Sequence, residues 1–146
     1  MTLFLPDVNV LVAALHPRAR RHTAYRAWLE LVVNGSDELA LIPATLVGTI
    51  RVATDPRIFD PPADRHVASR FVATLRRAHG SHDLRTGSEV WNRFERLLAD
   101  DPQARGNLVP DAWIAATAMA HGARVATADR GMARWPGLDW CDPADS

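Results

Sequence analysis

Short apolar runs recur along this chain, and each is followed by a longer stretch whose apolar residues fall at helical spacing. That alternation constrains the fold more than any other feature. Leu3-Phe4-Leu5 stops at Pro6-Asp7 and reads as a central strand ending in a loop, with Val8–Leu15 as a short helix behind it. His22–Asn34 places Tyr25, Trp28, Leu29, Val32 and Val33 at helical spacing and closes at Gly35. Residues 39–42 read as a second strand, and 43–54 as a helix stopped by Pro56. Asp64 is placed to cap a helix running to Arg77. Residues 82–84 form a candidate small strand, and Ser88–Asp100 carries Val90, Trp91, Phe94, Leu97 and Leu98 on one face. An alanine-rich helix over 110–121 ends at Gly122, a strand follows over 124–127, and residues 138–141 read as a last one. Strands alternating with helices in this way imply a mainly parallel sheet covered on both faces. The expectation is a single α/β domain over residues 1–146.

Composition narrows what such a domain can do. No apolar run is long enough to span a bilayer, and the opening Met1–Leu5 stretch reads as a buried strand rather than a signal peptide. Cys141 is the only cysteine, so no internal disulfide can form and a cytoplasmic location is expected. Seventeen basic and seventeen acidic residues balance to a net charge of zero, which disfavours a protein that simply coats nucleic acid. All the basic residues are arginines. Without a lysine, P-loop phosphate binding and Schiff-base chemistry are excluded.

The functional crevice of an open parallel sheet lies beyond the carboxyl ends of its strands. Asp7 follows the first strand, Asp129 follows the strand over 124–127, and Asp111 opens the alanine-rich helix. Each has an ordinary structural reading: Asp7 and Asp111 as helix caps, Asp129 as a turn residue. Together they describe something else. Three carboxylates at adjacent strand ends repel one another, and a divalent cation relieves that repulsion. An all-oxygen donor set favours Mg²⁺ or Mn²⁺ over zinc, and Mg²⁺ chemistry points to phosphodiester hydrolysis.

The residues around these acids carry a resemblance. The segment 3–11 (LFLPDVNVL) is similar to the opening of PIN domains, 109–116 (VPDAWIAA) to their central acidic motif, and 125–130 (VATADR) to their T-x-D segment. Residues 51–59 (RVATDPRIF) and 135–140 (WPGLDW) resemble stretches common in VapC toxins, so the likeness runs in order along nearly the whole chain. It implies a three-layer α/β/α fold and a Mg²⁺- or Mn²⁺-dependent endoribonuclease acting as a toxin. It also implies a homodimer and a VapB-like antitoxin as partner. Carried over, Asp7, Asp111 and Asp129 are the metal-site and catalytic acids, with Asn9 and Thr127 as supporting polar residues. Tyr25 and Trp28 are expected to offer an aromatic surface for assembly. There is one departure. Where the family pattern often has a glutamate, three residues before the arginine matching Arg51, this chain has Gly48.

In that reading Arg51 and Arg130 are the candidates for gripping an RNA backbone, by position. Trp113 reads as core, with base stacking as the alternative. A haloacid-dehalogenase-like phosphatase needs a second aspartate where Asn9 stands and a lysine that is absent; a response-regulator receiver needs that lysine too. The remaining alternative is a catalytically silent PIN-like module that binds RNA or a protein partner without cutting, and Gly48 is its best support.

Overall fold

The computed structural model describes residues 1–145. Five short strands form one fully parallel sheet: β1 (Leu3–Pro6), β2 (Glu38–Leu41), β3 (Ser81–Asp83), β4 (Arg124–Ala126) and β5 (Trp140–Cys141), ordered β3-β2-β1-β4-β5. Six helices cover it: α1 (Val8–Leu15), α2 (His22–Asn34), α3 (Pro43–Ala53), α4 (Arg65–Arg77), α5 (Ser88–Asp100) and α6 (Leu108–His121). This is the expected three-layer α/β/α arrangement.

Alternation along the strands builds the two cores. Phe4, Leu39 and Leu41 pack with Val10, Leu29 and Leu46 under α1 to α4, while Leu5, Ala40 and Val125 pack with Ile114 and Ala115 of α6 on the other face. Leu5, Leu11, Leu39 and Leu41 are completely or almost completely buried. Each stabilises the fold by roughly 2–3 kcal/mol through burial.

Helix boundaries follow the local chemistry. Asp64 caps α4 by accepting from the His66 and Val67 amides, and Gly122 ends α6 in the left-handed region at φ 66°. α6 starts at Leu108 rather than 110, so Asp111 lies inside its first turn. β2 spans Glu38–Leu41 instead of 39–42, because Ile42 is the extended residue that leads into α3. β4 ends at Ala126, leaving Thr127 beyond the ladder, and β5 is confined to Trp140–Cys141. A 3₁₀ turn at Arg130–Arg134 has no apolar periodicity to announce it.

One expectation from α2 is corrected. Tyr25 is buried, and its hydroxyl donates to Asp142 Oδ1 at 2.8 Å. Trp28 packs edge-on against Phe4 with ring centroids 5.3 Å apart. Tyr25 is thus used inside the fold, whereas Trp28 is half-buried and leaves part of its ring at the surface.

Candidate active site

β1 lies at the centre of the sheet, with β2 on one side and β4 on the other. The chain winds in opposite directions from that point, which opens a crevice at the strands' carboxyl ends. The register sets Pro6 opposite Ala126, and the Asp7 amide donates to the Ala126 carbonyl at 2.9 Å, so Asp7 and Thr127 leave the sheet side by side.

Thr127 is the hub. Its fully buried side chain donates to Asp7 Oδ2 at 2.9 Å and accepts from the Asp129 amide at 3.0 Å and from Asn9 Nδ2 at 3.2 Å. Asn9 Nδ2 also reaches Asp7 Oδ2 at 3.3 Å, and its carbonyl oxygen accepts from the Ala128 amide at 3.0 Å. Asn9 and Thr127 thus stand where a supporting role requires them, knitting the end of β1 to the end of β4.

The three aspartates are distinguished by what else they do. Asp7 Oδ1 accepts from the Val8 amide at 2.7 Å, capping α1, and Asp129 Oδ1 accepts from the Gly131 amide at 2.8 Å, capping the 3₁₀ turn. Their structural readings hold as far as they go. Asp111 caps nothing: α6 is entered through Asn107, with no side-chain cap bond. Yet burial, then the charges of Asp7 and Asp129, push its carboxyl up to about 6, with Arg134 opposing. Asp7, only 6% exposed, is also raised, by burial first and in part by Asp129; its bonds from Thr127, Val8 and Asn9 hold it down. All three line one cleft of about 790 Å³, whose lining contains no histidine or cysteine. Among the described residues, no group of three or more His, Cys, Asp or Glu side chains is placed to hold a metal ion as it stands.

Of the two arginines singled out by position, Arg130 lines the cleft and Arg51, exposed on α3, does not. Arg18, Arg20 and Arg21, on the connection between α1 and α2, line it and carried no sequence expectation. The signal available was the arginine-rich run itself, immediately after a helix that begins at Asp7. Trp113 packs against Trp91 and Phe94, with centroids 4.6 and 5.2 Å away, on the α5–α6 face. Trp113 is half-buried in this aromatic cluster and does not line the acidic cleft.

The model of the PIN domain family matches residues 4–138. The chain belongs to the PIN-domain family. Among its relatives are VapC ribonuclease Mb2897 of Mycobacterium bovis and ribonuclease VapC43 of Mycobacterium tuberculosis. Each is 41% identical over 95% of this chain and 94% of the relative. The solved VapBC2 complex of Rickettsia felis, bound to a DNA fragment from its promoter, contains a chain with the same fold. The TM-score is 0.70, with 16% identity over 96% of this chain and 98% of that one. As a PIN domain, the chain puts its acids where the family's sheet order makes a crevice. No helix is long and apolar enough to cross a membrane among the described residues.

Proposed function

We propose that this PIN domain is a Mg²⁺- or Mn²⁺-dependent endoribonuclease, the toxin of a toxin–antitoxin pair, with Asp7, Asp111 and Asp129 as its metal-site acids. The observation that carries the reading is Asp111. It bears the electrostatic burden of two neighbouring carboxylates without capping a helix in return. The VapC relatives, named as ribonucleases, support the choice of RNA. A homodimer and a VapB-like antitoxin complete the proposal.

The donor chemistry fits the metal: carboxylate oxygens, with no softer ligand in the cleft. To hold one ion the three carboxylates must draw together from their present positions. When bound, the ion supplies positive charge to the phosphodiester and acidifies a water for attack. The chain does the positioning. Thr127 and Asn9 fix the Asp7 carboxylate through Oδ2, and with the Val8 amide on Oδ1 one acceptor site on Oδ1 is left for an ion. Thr127 also ties down the Asp129 backbone, so the second acid keeps its place relative to the first. Arg130, beside Asp129 in the cleft wall, is placed to neutralise a phosphate.

The silent-module alternative draws on Gly48 and on there being no ready-formed three-acid group among the described residues. One assay separates the two. Purified protein and labelled single-stranded RNA are incubated with Mg²⁺, with Mn²⁺ or with excess EDTA, beside Asp111→Asn. Cleavage should require the metal and fall on the order of a hundredfold or more in the variant. Undiminished cleavage in EDTA would overturn the metal site. Binding of the RNA without cleavage in either metal would favour the silent module.

A further inference from the structure

Two cleft arginines meet on one carboxylate. Arg21 Nη1 donates to Asp145 Oδ1 at 2.7 Å, and Arg130 Nη2 to Asp145 Oδ2 at 2.6 Å. One comes from the α1–α2 connection and the other from the 3₁₀ turn after β4, so Asp145 bridges two separate parts of the cleft wall. Arg21 also donates to the Ala144 carbonyl oxygen. Its backbone is the single described non-glycine position in the left-handed region, at φ 59°, and it makes no side-chain cap to α2. Strained backbone of this kind persists where surrounding contacts over-determine it, and it clusters at functional sites.

A carboxylate presents two oxygens on one carbon; a phosphodiester presents two non-bridging oxygens on one phosphorus. Guanidinium groups match both. We infer that Arg21 and Arg130 form a clamp for one backbone phosphate of an RNA strand, and that Asp145 occupies this clamp until the strand displaces it. The inference rests on the ribonuclease reading and specifies which residues hold the substrate beside the acids. Phosphate is favoured over an acidic protein side chain because the clamp shares its cleft with the three aspartates, and Arg130 directly follows Asp129. Displacement does not require residues 142–145 to unfold. That segment is separately anchored by the Tyr25–Asp142 bond and by the Ala144 amide on Asp142 Oδ1 at 3.0 Å. Both ion pairs are substantially solvent-exposed, so exchanging one anion for another is inexpensive.

The test is fluorescence anisotropy of a labelled single-stranded RNA oligonucleotide in EDTA, across a series of salt concentrations. Asp145→Asn should bind roughly 3–10-fold tighter than wild type, since it removes a competing charge and leaves the clamp intact. The Arg21→Ala/Arg130→Ala variant should bind at least about tenfold more weakly, with a salt slope shallower by about one. Adding Asp145→Asn to that variant should change nothing further. Arg21→Lys/Arg130→Lys, which keeps the charges and loses the fork, should retain the slope with intermediate affinity. Melting curves establish that each variant is folded. Equal affinity for wild type and Asp145→Asn would overturn the occupancy by Asp145. An unchanged slope in the folded double-alanine variant would overturn the clamp, and so would loss of binding to an acidic antitoxin peptide with RNA binding intact. If wild type cleaves RNA while every variant binds it alike, the clamp falls and the ribonuclease reading stands. If wild type neither binds nor cleaves RNA, both fall.

Discussion

Asp111 is a carboxylate the fold would do better without. Burial and two like charges disfavour its ionised form and push the carboxyl from its ordinary 3.8 up to about 6. A carboxyl raised in the folded state contributes most to stability below its unfolded value, and that contribution is lost as pH rises through the folded one. The metal-free protein should therefore lose stability between about pH 4 and 6 on account of this residue. Asp111→Asn should melt higher than wild type at pH 7.5, by on the order of 1 kcal/mol after allowance for solvent screening of a half-exposed group, or a few degrees. At pH 4 the two should melt together. A difference that is the same at both pH values would remove the electrostatic account. The three aspartates were legible in the sequence because each stands at the end of a strand or the start of a helix, a local signal. Arg21 and Arg130 were not legible as a pair, because what makes them one is Asp145, 15 residues from Arg130 but 124 from Arg21 along the chain.

Helix α3 decides what Gly48 means. A Cβ at this position would lie 2.9 Å from Val8 Cγ2, at the start of α1 and in the wall of the cleft. The position abuts Val8, which lines the cleft, and the space a side chain would need is taken by that valine. Gly48→Glu alone should strain the α1–α3 contact by roughly 1–3 kcal/mol, offset in part by helix propensity of up to about 1 kcal/mol. With Val8→Ala the space opens. The expected outcome for the double variant is a wild-type-like melting temperature and a several-fold lower Mg²⁺ concentration for half-maximal cleavage, measured by titration. An unchanged Mg²⁺ requirement in a folded double variant would show that a carboxylate at 48 does not reach the site. α2 teaches the opposite lesson. Its periodicity marked the right residues as apolar, yet could not distinguish a face turned to the sheet from one left for a partner. Phe4 and Asp142 settle that, and both are remote in sequence.

For the whole molecule, the proposed homodimer would draw on apolar surface other than the buried Tyr25. The large apolar side chains left exposed include Leu31, Val47, Ile58, Val67 and Trp91. A homodimer should appear in light scattering as twice the 16.1 kDa chain mass. A monomer at every concentration would remove that part of the proposal. Strand and helix identity, the parallel sheet and the three candidate acids all follow from periodicity and from polar residues at element ends. Burial of one face imposes the same spacing on neighbouring residues wherever the element finally sits. The order β3-β2-β1-β4-β5 does not follow from periodicity. It places Asp7 against Thr127, draws Asp129 and Asp111 into the same cleft, and bridges Arg21 and Arg130 through one carboxylate. Two of those relations rest on contacts between segments more than a hundred residues apart: Thr127 with Asp7 at a separation of 120, and Arg21 with Asp145 at 124. A repeating local pattern holds no information about which distant segment will be its neighbour; packing the two cores on either side of β1 supplies it.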